Sequence, residues 1–104
     1  MDDFTATSST PLTNPIGLHA RPCVKLTKLA KTFAAHIEVA TAANGPWVDA
    51  KSIVKVMAVK AAKGAVLHFR ATGHDARPAL AALQELVALG FHEDNVGRSD
   101  NGAG

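Results

Sequence analysis

Between Ala20 and Phe33 the apolar residues Cys23, Leu26, Ala30 and Phe33 recur at three- and four-residue spacing, which predicts a helix burying one face. Lys25, Lys28 and Lys31 fall outside that stripe, so the opposite side is basic. The period then drops to two: Ile37-Glu38-Val39-Ala40 reads as a half-buried strand, Asn44-Gly45-Pro46 as a turn, and Trp47-Val48-Asp49-Ala50 as the returning strand. Ser52 is placed to cap a short second helix carrying Ile53, Val56, Met57 and Lys60, which Lys63-Gly64 breaks. In the strand Ala65–Ala71, Leu67 and Phe69 alternate with Val66, His68 and Arg70. After the turn Gly73-His74-Asp75, with Asp75 as N-cap, a last helix to about Leu89 aligns Ala76, Ala79, Leu80, Leu83 and Val87. Pro78 is tolerated there because it lies in the first turn. A weak strand before Asn14 comes first, and its Pro11 suits only a sheet edge or a strand end. The order βαββαβα implies an α+β fold, an open-faced sandwich with a four-stranded antiparallel sheet covered on one face by three helices.

Composition narrows the classes. The 104 residues, 47% hydrophobic and 19% charged, suit one globular domain, expected over residues 1–93 with 94–104 as a disordered tail. A net charge of +2 is too small to argue for nucleic acid. No apolar run is long enough for a membrane span, and Met1-Asp2-Asp3 lacks a basic leader, so the expected location is the cytoplasm. Cys23 alone makes neither a disulfide nor a zinc cluster, and the histidines beyond His19 show no metal-ligand spacing, so no metal or cofactor is expected. Cys23 falls on the buried stripe and reads as a small core residue, although a place near a helix start lowers some thiols and makes them reactive. Nothing demands an oligomer, so a monomer is expected.

Chemistry concentrates at Gly17-Leu18-His19-Ala20-Arg21-Pro22. His19 immediately precedes the first helix, whose opening N–H groups have no internal partner and carry the positive end of the helix dipole. An anion on the imidazole can rest against those amides while the Arg21 guanidinium closes the other side. Gly17 allows a tight turn before the site, and Pro22 presets the entry into the helix. A histidine beside a helix start is usually a plain surface residue; with the arginine and the proline at these spacings it makes a layout for carrying a phosphoryl group.

These residues resemble a known family. The hexapeptide is similar to the phosphohistidine signature of HPr, the small phosphocarrier of the bacterial sugar phosphotransferase system. Asp49-Ala50-Lys51-Ser52-Ile53-Val54-Lys55-Val56-Met57 resembles the family's second signature, around a regulatory serine, and Gly73-His74-Asp75-Ala76 resembles the start of its last helix. The similarity runs over roughly residues 13–92 with the motifs in order. It implies an HPr-like fold and a phosphoryl-transfer intermediate rather than a turnover enzyme. Enzyme I, charged from phosphoenolpyruvate, is the implied donor to Nδ1 of His19, and an A-type permease component is the implied acceptor. Arg21 is implied to balance charge on the moving phosphoryl oxygens.

The resemblance also implies a partner surface beside His19, for which Ala20, Val24, Lys28, Lys31, Ile53, Val54, Lys55 and Met57 are the candidates, with Ile53 or Val54 as the exposed contact. Lysines on a helix are solvated by default, but next to such a site they can also steer acidic partners. Ser52 serves as an N-cap and, in some relatives, as the target of an ATP-dependent HPr kinase/phosphorylase; phosphate there is expected to impair docking of enzyme I. Two other readings stay open: a carrier module of a multidomain system such as that of dihydroxyacetone kinase, and a regulatory binding protein switched at Ser52.

Overall fold

The computed structural model describes residues 5–13 and 17–92; the expected tail at 94–104 lies outside them. The elements are β1 (Thr5–Pro11), α1 (Ala20–Ala30), β2 (His36–Ala40), β3 (Val48–Asp49), α2 (Ile53–Val59), β4 (Val66–Thr72), α3 (Ala76–Ala88) and a short 3-10 turn, Gly90–His92. The strands form one antiparallel sheet in the order β1-β4-β2-β3. The polar strand β1 pairs with β4 along its length, from Thr5 opposite Thr72 to Pro11 opposite Val66. Pro11 thus ends an edge strand, where its missing N–H costs little. The hairpin strand β3 is shorter than its sequence suggests, with only Val48 and Asp49 in register with β2, although the Ala50 amide still donates to the Ile37 carbonyl at 2.9 Å.

Alternation decides which sheet face is covered. Ile37, Val39, Leu67, Phe69 and Ala71 are fully buried, and so are Leu26, Ala79, Leu83 and Val87 from α1 and α3. Truncating a fully buried phenylalanine such as Phe69 to alanine costs about 3–5 kcal/mol. The opposite face is polar and open. There the Arg70 guanidinium stacks 4.4 Å from the centre of the Trp47 ring and its Nε donates to Glu38 at 2.6 Å. This hydrogen bond holds the Glu38 carboxyl below its ordinary value.

Three local expectations change. Helix α1 stops at Ala30, and Phe33 packs partly buried from the turn that follows. Lys60 is the left-handed C-cap of α2 and not part of its stripe. Asp75 occupies the N-cap of α3 but makes no side-chain cap: its carboxylate accepts from the backbone N–H of Ala34 and of Ala35, both at 2.8 Å. Those bonds fasten the α1–β2 turn to the start of α3 and hold the Asp75 carboxyl below its ordinary value, the Ala34 amide first. Beyond α3, Phe91 folds back into the core at φ 58, fully buried.

Candidate functional site

His19 is the N-cap of α1, with extended backbone at φ −94° and ψ −167°. Its carbonyl accepts from the Cys23 amide at 3.1 Å, the first turn of the helical ladder. The neighbouring Leu18 is buried, whereas His19 is half-buried and borders open space. The loop is held from below: the Leu18 amide donates to the Ala61 carbonyl at 2.8 Å. Gly17 is needed there twice over. Its φ is +86°, and a Cβ would lie 2.7 Å from the same Ala61 oxygen.

The His19 side chain makes no cap hydrogen bond to α1. The Ala20 and Arg21 amides therefore open a helix that its own N-cap side chain does not close, and such amides favour an anion. Pro22, third in the helix, brings no N–H and is itself buried, so it packs as well as presetting φ. Arg21 is exposed on the first turn. His19, Ala20, Arg21, Val24, Lys25 and Lys28 line one open groove of about 640 Å³. The expected phosphoryl residues are thus brought together around one helix start.

Helix α2 packs beside α1 and starts differently, since the Ser52 Oγ accepts from the Lys55 amide at 3.3 Å. Ile53 packs against the core, whereas Val54 is 74% exposed, so Val54 is the exposed contact of that pair. Met57 and Val24 are exposed as well. Lys28, Lys31 and Lys55 are also at the surface, and neither α1 nor α2 contains an acidic residue. The site face is therefore cationic with apolar spots.

Two lysines belong to the scaffold instead. Lys25 Nζ donates to the Phe91 carbonyl at 2.6 Å, and Lys51 Nζ to that of Phe33 at 2.7 Å. Cys23 is fully buried with its thiol on the Leu18 carbonyl at 3.8 Å. Burial pushes that thiol up to about 11, so desolvation outweighs the helix start that reactivity would need. Among the described residues no cluster of histidine, cysteine or carboxylate is set to hold a metal, and no helix is long and apolar enough to cross a membrane. The contribution of Ala61, a backbone carbonyl beneath the loop, left no mark in the motif because it depends on a contact made through the fold.

Comparison with known proteins agrees with this geometry. Residues 6–88 match the family model described as PTS HPr component phosphorylation site. A phosphocarrier protein HPr from Cupriavidus necator is 40% identical over 84 residues, covering 81% of this chain and 92% of the relative. The phosphocarrier protein NPr of Escherichia coli is 34% identical over 91 residues, covering 88% of this chain and all of the relative. Among solved structures, HPr-C-His from Thermoanaerobacter tengcongensis superposes with a TM-score of 0.78 at 33% identity, covering 85% of this chain and 97% of that one.

Proposed function

The chain belongs to the HPr family of phosphocarriers of the phosphotransferase system, and from that premise we propose that His19 is the residue that carries the phosphoryl group, received from enzyme I and passed to an A-type component of a sugar transporter. One observation carries this reading: His19 stands at the N-cap of α1 without a side-chain cap bond, in a groove shared with Arg21.

Transfer proceeds in line. The lone pair of neutral Nδ1 attacks phosphorus as the bond to the donor's histidine nitrogen breaks, and the donor nitrogen keeps that electron pair. Histidine suits the task because its imidazole is in large part neutral near neutral pH. The Arg21 guanidinium and the opening amides of α1 face the charge spread over the phosphoryl oxygens. The site therefore holds the phosphoramidate by electrostatics alone, without enclosing it, and delivery to the next histidine reverses the same step.

Docking rests on the cationic, apolar-spotted face. Ala20, Val24, Val54 and Met57 supply apolar contact, and Lys28, Lys31 and Lys55 attract acidic partners. Ser52 is the position for regulation by an ATP-dependent kinase. Phosphate there lies at the start of α2, beside the surface that enzyme I must cover. The similarity to NPr supports a second reading, in which the same chemistry feeds a different acceptor.

A transfer assay separates the two. The protein is charged with enzyme I and phosphoenolpyruvate, then offered a panel of A-type components, and loss of phosphate from the carrier is followed. Discharge to sugar-specific components is the expected result. Discharge to none of these but to another A-type protein moves the chain to the second reading, and no charging at all refutes the carrier role.

A further inference from the structure

Helix α2 ends on a residue that packing does not account for. Lys60 adopts φ 54° and ψ 41°, a left-handed conformation that helices ordinarily end on glycine or asparagine. Phe91 and His92 share that conformation in the 3-10 turn after α3, where the fully buried Phe91 ring sets the path of the chain. Lys60 is exposed, and its ammonium has no hydrogen-bond or ion-pair partner among the described residues. A non-glycine residue kept in a disfavoured conformation without packing directs attention to its side chain.

The place of this turn matters. The next residue, Ala61, offers the carbonyl that holds Leu18 at 2.8 Å, the foundation of the His19 loop. The left-handed turn therefore lies against the site. Charge points to the partner. Between Asp49 and Asp75 the chain has no acidic residue, and Lys55, Lys60 and Lys63 are all exposed. Arg21 and Lys28 are exposed on α1 and Lys31 at its C-cap, and α1 packs beside α2, so the partner these segments suit is acidic.

Resting on the carrier reading, we propose that Lys60 is a specificity-determining residue of the phosphoryl-transfer surface: its ammonium pairs with an acidic side chain of the phosphoryl donor beside the His19 loop. A glycine would hold the turn with less strain but would remove this contact, so conformational ease is given up for recognition.

The test uses the full chain as wild type, Lys60→Gly, Lys60→Gln and Lys60→Arg, with enzyme I and phosphoenolpyruvate as donor. Thermal unfolding and steady-state phosphoryl acceptance are measured at low and high salt. Removing the charge should raise KM for the carrier about threefold to tenfold at low salt with kcat unchanged, and high salt should narrow the gap. Lys60→Arg should restore wild-type KM. Lys60→Gly should also raise Tm by about 2–6 °C, separating lost recognition from lost structure. Unchanged KM in both Lys60→Gly and Lys60→Gln overturns the proposal, and so does a fall in kcat alone, which would assign Lys60 to the loop's geometry. A wild-type protein that accepts no phosphoryl group refutes the carrier reading itself and this inference with it; a wild type that charges normally beside indifferent variants refutes only the inference.

Discussion

The starts of α1 and α2 lie on neighbouring helices and treat the same physical problem in opposite ways. At α2 the Ser52 hydroxyl accepts the Lys55 amide, so the protein closes its own helix end. At α1 the residue in the equivalent position is His19, whose side chain gives no cap. A cap contributes about 1 kcal/mol to stability, so leaving one out is a modest structural cost. It leaves a helix dipole facing a groove, and on the carrier reading the nucleophile stands where the cap would be. The difference teaches that a helix start can serve either the fold or an incoming anion, according to one side chain.

The largest break in this comparison is His19→Ala. It should abolish phosphoryl acceptance while leaving the circular dichroism spectrum of the wild type, read alongside an acid-labile phosphate assay. Arg21→Ala comes next. With the guanidinium gone, single-turnover transfer should slow by about tenfold to a hundredfold, less than for an enclosed oxyanion donor because Arg21 is exposed, and Tm should stay as it is. At the other helix the signs reverse. Ser52→Ala should lower stability by about 1 kcal/mol in urea unfolding and leave acceptance near wild type. Ser52→Asp should keep the cap and weaken acceptance from enzyme I, and unchanged kinetics would remove Ser52 from regulation.

Helix α3 sharpens the contrast through pH. The Asp75 carboxylate is stabilised in the fold by the Ala34 and Ala35 amides, which depress its pKa below the unfolded value. Its contribution is therefore present in full above the unfolded value of about 4 and is lost as pH falls through the lower, folded value. Asp75→Asn should have a lower Tm than wild type at pH 7, with the gap closing as acid protonates the carboxylate. A gap that persists unchanged below about pH 2 would mean that charge is not what Asp75 contributes.

Much of this was legible in the chain because it is local. The stripe Cys23, Leu26 and Ala30, the alternation around Leu67 and Phe69, and Ser52 before its helix each report a periodicity or cap within a few residues. The hexapeptide around His19 is likewise contiguous, so its chemistry can be read from neighbouring residues even though the fold holds the loop in place. What escaped is long-range. Asp75 looks like a cap until the Ala34 amide, 41 residues away, is brought to its carboxylate. Lys25 looks like one more solvated cation until the chain returns 66 residues later with the Phe91 carbonyl. Ala61 has no chemistry in its side chain, so only the folded contact with Leu18 reveals its part in the site. Cys23 illustrates competition between two local signals: a helix start lowers a thiol, burial raises it, and the core position settles the outcome.

The most direct measurement follows backbone amides by nuclear magnetic resonance while the 15N-labelled protein is charged by enzyme I and phosphoenolpyruvate. If the open start of α1 receives the phosphoryl group, His19 should acquire phosphorus coupling on its ring, the Ala20 and Arg21 amides should move strongly, and the Lys55 amide on its Ser52 cap should hardly move. A phosphorylated protein whose Ala20 and Arg21 amides stay in place, or whose label sits at Ser52 instead, would contradict the division between the two helix starts.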